Sequence, residues 1–141
     1  MSVPTKIVDP VTGIAANVTE YGQLLVAPVD YSVPSAVTMG TVNTAYNFIS
    51  PNAGHGIVIT DIILTANKNV GANDAAVDIY MADADDTLTI STGILSLEML
   101  KKTTISLTGL NMLVPEGFWV NGKTDDDDVF VTIMYYYVHK D

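Results

Sequence analysis

Two histidines are the first side chains in this sequence to consider for metal chemistry. His55 lies between two glycines and His139 lies near the C-terminus, and the chain has no other histidine and no cysteine. Two imidazoles can share a metal ion only if the fold brings them together. We therefore interpret His55 as a turn residue with a surface imidazole, and we predict no metal site and no cofactor.

Aspartates form a second group of candidate ligands. Residues 125–128 are four consecutive aspartates. Because adjacent carboxylates repel one another, this run either stays solvated or binds a hard cation such as Ca²⁺. Successive side chains cannot all point at one ion, which favours a solvated loop. The cluster Asp83, Asp85 and Asp86 lacks the glycine and the distal glutamate of an EF-hand loop, so a solvated turn is favoured there too.

Aromatic residues near the C-terminus have two interpretations. Trp119 and the three tyrosines at 135–137 could stack on carbohydrate, or they could pack in a core or an interface. Strand positions favour packing, and the carbohydrate alternative depends mainly on Trp119. Paired carboxylates can hydrolyse glycosidic bonds, but aspartates in turns are weak support for that activity. The sequence has no Gly-x-Ser-x-Gly elbow, no Walker-type phosphate loop and no His-Glu-x-x-His helix. We expect no enzymatic activity.

Charge and composition narrow the classes of partner. The 141 residues suit one domain, and sixteen acidic residues against six basic ones give a net charge of -10. All six basic residues are lysines, whereas phosphate recognition favours arginine, so we expect no nucleic-acid partner. No apolar run approaches the ~20 residues of a membrane-spanning helix. The first ten residues do not resemble a secretory signal. We expect no membrane partner.

The first 35 residues are rich in prolines and glycines, which predicts short extended pieces joined by turns. We predict two parts: an extended N-terminal arm at 1–35 and a β-sandwich domain at 36–141. Apolar residues in the arm require an apolar surface to lie on, so we predict that the arm does not stay free in solvent. These residues are Ile7, Val11, Ile14, Val18, Tyr21, Leu24, Leu25 and Val26.

After residue 36, about eight short strands are separated by turn signals. We predict them at 44–50, 56–66, 75–81, 95–99, 105–107, 111–114, 118–120 and 129–138. The segment 94–102 can also be drawn as two helical turns, but its alternation favours a strand. Residues 67–73 are predicted to be a polar turn, and Asn121-Gly122 a hairpin turn. The pattern predicts an all-β antiparallel sandwich of the jelly-roll type, with a meander barrel as the alternative.

Two strands are apolar on both faces. In 56–66, simple alternation places one set on one face and the other set opposite, so we predict a central strand covered on both sides. The sets are Val58, Ile62 and Leu64 against Ile57, Ile59 and Ile63. The last strand is expected to face the sandwich on one side and a neighbour on the other. Its predicted oligomer interface consists of Val131, Ile133, Tyr135 and Tyr137.

Several strand-and-turn segments together resemble a known family. They are DPVTG at 9–13 with GQLLV at 22–26, ITDIILTAN at 59–67, LTGL at 107–110 with VPEG at 114–117, and VTIMYYY at 131–137. These segments, which span most of the chain, are similar to those of small structural proteins of tailed bacteriophage virions, notably capsid decoration (cement or knob) proteins.

The resemblance implies a jelly-roll body, frequently trimeric, that sits on an icosahedral shell while its N-terminal arm engages the capsid or a neighbouring subunit. The implied partners are the major capsid protein and other copies of the chain. The implied location is the capsid surface of the virion, after synthesis in the host cytoplasm. No catalytic residues accompany this family. The alternative is a host-recognition or carbohydrate-binding module of a phage fibre, knob or tail, with Trp119 as its glycan contact.

Overall fold

The computed structural model describes residues 32–66, 74–126 and 128–139. The arm residues from Ile7 to Val26 and the polar turn at 67–73 lie outside the described residues. Residues 32–141 form one compact unit. Within the described ranges there are nine strands and no helix, which confirms the all-β prediction. The strands are β1 Val33–Met39, β2 Tyr46–Ile49, β3 His55–Ala66, β4 Ala75–Ala82, β5 Thr92–Met99, β6 Thr104–Leu107, β7 Met112–Val114, β8 Trp119–Thr124 and β9 Val129–His139.

The strands form two antiparallel sheets. In the first sheet the order is β1-β9-β3-β6, and β7 also pairs with β3; in the second sheet it is β2-β8-β4-β5. The paired strands are nested along the chain: β4 with β5, β3 with β6 and β7, β2 with β8, and β1 with β9. This arrangement, one long folded hairpin shared between two sheets, is the jelly-roll connectivity that the sequence predicts.

The ambiguous segment at 94–102 is a strand over most of its length. β5 pairs with β4 from Ala75↔Met99 to Met81↔Thr92, which confirms strand over helix. β1, in contrast, begins at Val33 and pairs with β9 from Val33↔Tyr135 to Met39↔Val129. It therefore starts inside the segment predicted to be arm. No long helix that could cross a membrane occurs in the described part of the chain.

The core lies between the two sheets. Four β3 side chains, Ile57, Ile59, Ile62 and Leu64, are at most 1% exposed, and they share one buried cluster with side chains of β9, β4 and β2. Burying an aliphatic side chain of this size contributes about 1.5–3 kcal/mol. Packing therefore stabilises the fold without any disulfide.

A β-bulge at Thr60 changes which β3 side chains face the core. The pairing with β9 shifts between Ile59↔Tyr135 and Asp61↔Met134, so Thr60 is the extra residue. The bulge reverses the alternation, which places Ile57 and Ile59 in the core together with Ile62 and Leu64. The predicted division of β3 into two faces was wrong for this reason. Of the six apolar β3 residues in the two predicted sets, only Val58 and Ile63 face outward.

Asn121 and Gly122 lie inside β8, so the predicted hairpin turn was wrong. Both residues are buried. The Asn121 side chain donates to Ala84 O at 3.1 Å and accepts from Asn47 Nδ2 at 3.2 Å, which satisfies a buried amide within the sheet. The glycine is needed for packing instead, because a β-carbon there would meet the ring of Phe48. The chain turns between β8 and β9 at the aspartates.

Candidate functional site

The outer face of the first sheet carries apolar side chains on several neighbouring strands. Its apolar side chains alternate with core residues: Phe130, for example, lies between Val129 and Val131, and Met134 lies between Ile133 and Tyr135. Across the strands, Val58 is opposite both Leu113 and Tyr136. We define the apolar outer face as Val58, Ile63, Leu113, Phe130, Met134, Tyr136 and Val138.

Three members of this face are strongly exposed. Leu113 is 59% exposed, Phe130 41% and Ile63 38%. Threonines and serines fill much of the space between them, since Ile63 is opposite Thr132 and Phe130 is opposite Thr65. Val58, Leu113 and Tyr136 lie side by side on three neighbouring strands, and a contiguous apolar patch of this kind marks a surface that another molecule covers.

This face is also nearly free of charge. Among the described strand residues that point outward from the first sheet, Asp61 is the only Asp, Glu, Lys or His. Its carboxylate accepts a hydrogen bond from Gly109 N at 3.3 Å, which links it to the chain between β6 and β7. The chain as a whole carries a net charge of -10. The acidic character therefore lies elsewhere on the molecule.

The second sheet has an outer face of a different kind. Asp78 accepts from Ser96 Oγ at 2.6 Å and lies 3.8 Å from Lys123 Nζ. Because this ion pair is partly solvated, it adds little stability. Nearby, the connection at 83–91 folds over the sheet: the Tyr80 hydroxyl donates to Thr87 O at 2.8 Å, and Tyr80 is fully buried. Burial, and secondarily the charge of Asp78, raises the pKa of Tyr80.

The residues predicted for the oligomer interface point into the sandwich. Val131 and Ile133 are at most 1% exposed and belong to the core. Tyr135 and Tyr137 pack against the core with their rings edge to face at 5.5 Å, and the Tyr137 hydroxyl donates to Ser50 O at 2.8 Å. Burial raises the pKa of Tyr137, and the charge of Tyr135 and a hydrogen bond with it raise this pKa further. The outward-facing members of β9 are their even-numbered neighbours.

Trp119, the predicted glycan contact, lies at the start of β8 on the second sheet. It is opposite Ala82 of β4, it is partly exposed, and it precedes the core residue Val120. It therefore points away from the core and lies on a different sheet from the apolar outer face. The structure does not bring it together with the tyrosines of β9. Its glycan role stays a prediction.

The two histidines, 84 positions apart in the sequence, are brought directly opposite one another. His55 begins β3 and pairs with His139 at the end of β9, and the ring centroids lie 4.2 Å apart. The rings of Tyr137 and His55 are nearly perpendicular, with their centroids 6.3 Å apart. The sequence offered no signal for this pair, because it depends on the register between strands that are distant along the chain.

The aspartate clusters are tied to backbone and hydroxyl groups. Asp125 Oδ1 accepts from Ala76 N at 2.7 Å, and Asp83 Oδ1 accepts from Ser91 Oγ at 2.9 Å. In residues 32–66, 74–126 and 128–139, no three His, Cys, Asp or Glu side chains are grouped as a metal site. Asp125 thus helps to hold the β8–β9 turn against the start of β4.

Comparisons with known proteins add no relative. No protein-family model, no curated protein and no solved structure matches this chain.

Proposed function

We propose that this protein is a non-enzymatic structural protein of a tailed-phage virion that binds and reinforces the capsid surface as a decoration protein. The observation that carries the proposal is the apolar outer face of the first sheet. It extends over three strands, β7, β3 and β9, and it includes exposed leucine, phenylalanine and isoleucine side chains. Such a face suits a protein that makes a broad contact without chemistry.

Charge identifies the kind of surface that this face would contact. Burying a carboxylate without a partner costs several kcal/mol, so an interface is favoured where charges are few. The face contains a single carboxylate, that of Asp61, which already has a hydrogen-bond donor. A matching surface on the major capsid protein would therefore be apolar and largely uncharged. The acidic remainder of the chain would stay in solvent and keep particles apart.

The size of the face argues for a second contact. The face spans β3 (12 residues), β9 (11 residues) and the short β7 (3 residues). At ~3.4 Å per residue and ~4.8 Å between strands, it presents roughly 400 Å². A stable interface buries about 800 Å² on each partner. The face alone therefore supports weak binding, and the apolar arm residues from Ile7 to Val26 would add the missing area. Assembly as a trimer would strengthen attachment further, because the three contacts act together.

The jelly-roll connectivity agrees with this proposal. Jelly rolls recur in viral capsid proteins and in lectins. Since one fold serves many functions, this agreement is support by analogy, and the surface carries the argument.

The test compares two leucine variants of matched exposure. Leu113 is 59% exposed on the apolar outer face, whereas Leu100 is 64% exposed in the connection after β5. Each is replaced by glutamate, and each protein is sedimented with capsids assembled from the major capsid protein of the phage that encodes the chain. We expect Leu113→Glu to weaken binding at least tenfold and Leu100→Glu to bind like the unmodified protein.

Two results would overturn the proposal. Failure of the unmodified protein to bind these capsids would remove the decoration role. Equal binding by both variants would show that the outer face is not the contact. Light scattering on the free protein tests the trimer separately: a trimer has about three times the 15.1 kDa mass of one chain.

A further inference from the structure

We infer that His55 and His139 together bind a divalent first-row transition-metal ion. The two residues are registered partners on adjacent strands, β3 and β9. The side chains of two residues at such positions start close together, because their Cβ atoms are ~4.5–5.5 Å apart. The ring centroids lie 4.2 Å apart and the ring planes are inclined by 40°. Two potential ligands are therefore held side by side by a rigid sheet.

The hydrogen bonding of His55 prepares one nitrogen for a metal. His55 Nδ1 lies 2.9 Å from the carbonyl oxygen of Ala53. Because a carbonyl oxygen can only accept, Nδ1 must carry the proton in this bond. Nε2 of the neutral ring then keeps its lone pair. Metal-binding histidines are commonly oriented in this way, by a backbone carbonyl that holds the other ring nitrogen.

His139 supplies the second nitrogen. Its ring lies against the ring of His55, and within the described residues neither of its ring nitrogens makes a hydrogen bond. A metal–imidazole bond is about 2.0–2.1 Å long, so two neighbouring ligand nitrogens lie about 3 Å apart. Binding therefore requires Nε2 of His55 and a ring nitrogen of His139 to take that separation. His139 is exposed, which gives an ion direct access from solvent.

The ligand set indicates the class of ion. Imidazole favours Zn²⁺, Ni²⁺ and Cu²⁺, whereas Ca²⁺ and Mg²⁺ prefer oxygen. No third His, Cys, Asp or Glu completes a group with this pair in the part of the chain that the structure describes. Water would fill the remaining coordination positions. A site with two protein ligands binds a metal ion more weakly than a four-ligand structural zinc site. The two imidazoles favour metals that prefer nitrogen ligands.

The experiment measures binding of NiCl₂ and ZnCl₂ to the full, untagged chain by isothermal titration calorimetry. The variants are His139→Gln, His55→Gln and the double substitution. We expect one ion per chain, at least tenfold weaker binding in each single variant and no detectable binding in the double variant. CaCl₂, as a control ion, should give no heat that depends on the histidines.

Thermal unfolding provides a second measurement and checks that the variants fold. A ligand that binds only the folded state raises the unfolding midpoint. Zn²⁺ should raise the midpoint of the unmodified chain, EDTA should reverse the increase, and the double variant should show no increase while melting cooperatively. Undiminished Ni²⁺ and Zn²⁺ binding in the double variant would overturn the inference, as would an absence of binding to the unmodified chain.

Discussion

The ring of Phe48 packs against the backbone of Gly122, in the space that a β-carbon on residue 122 would occupy. The two residues lie on neighbouring strands of the second sheet, β2 and β8. A second contact would also be tight, because the same β-carbon would lie 3.2 Å from Asp78 O. An added methyl group therefore fits only if the Phe48 ring or the backbone shifts.

Gly122→Ala should destabilise the fold by about 1–3 kcal/mol, because overpacking a close-packed interior forces side chains and backbone to shift. Urea unfolding at neutral pH measures the change. Gly93→Ala is the matched control, since Gly93 also lies in a strand and nothing is within 4 Å of its would-be β-carbon. The control should be neutral or slightly stabilising. Equal effects of the two substitutions would contradict the role of Phe48.

Stability should fall at alkaline pH because of Tyr80 and Tyr137. Burial raises the pKa of both above the ordinary value of 10.0. The folded state therefore holds these protons more tightly than the unfolded state does, so their stabilising effect is full below pH 10 and is lost as pH rises through the folded-state pKa. Urea midpoints at pH 8, 9, 10 and 11 should drop chiefly above pH 10.

The Tyr80→Phe variant separates the contribution of Tyr80 ionisation from a general loss of stability at alkaline pH. The variant should be less stable at pH 8, since it loses the hydrogen bond to Thr87 O, but it should lose less additional stability above pH 10. Tyr136→Phe, on the apolar outer face, serves as the comparison. An identical decline in all three proteins would show that other groups control the alkaline transition.

Removal of residues 1–31 should leave a folded sandwich that binds capsids more weakly. The described core residues lie in strands after this segment, and Ser32–Asp141 is a compact unit. The cut belongs at 31, because a cut at 35 would remove the start of β1 and the Ser35 hydroxyl bond to Phe48 O. Circular dichroism and cooperative thermal unfolding check the fold, and co-sedimentation checks the binding. Undiminished binding would eliminate the arm as a capsid contact.

Trp119→Ala tests the carbohydrate alternative. If the chain is a glycan-binding module, the substitution should abolish binding on a glycan array while the far-UV circular dichroism stays unchanged. Capsid binding should be unaffected, because Trp119 lies on the second sheet and the apolar outer face lies on the first. An unmodified protein with no hits on the array would dispose of the alternative.

Most of the strand order along the chain could be predicted from the sequence, because turn residues and alternation are local signals. The errors lie where distant strands impose a local exception. No residue near Thr60 in the sequence predicts the bulge, which arises from the pairing of β3 with β9. Likewise, Asn121-Gly122 has the composition of a hairpin turn, and only contacts with Asn47, Ala84 and Phe48 explain those two residues inside a strand.

The candidate site was harder to predict than the fold. The apolar character of β9 was evident, but which half of its residues face outward depends on its register with β3. The histidine pair depends on the same register, since a slip of one residue would separate His55 from His139. Residue types alone therefore could not show that two isolated imidazoles are neighbours. Three-dimensional pairing supplied that information.

The nested pairing of strands has a consequence for the order of folding. β4 and β5 are separated only by residues 83–91, whereas Met39 of β1 pairs with Val129 of β9. Closing a long loop costs more entropy than closing a short one, and distant pairings slow folding. We therefore expect the β4–β5 ribbon to form early and the β1–β9 ribbon to close last. An edge strand that closes last is also the one that two copies can most readily exchange, so a concentrated refolding reaction should yield dimers swapped at β1.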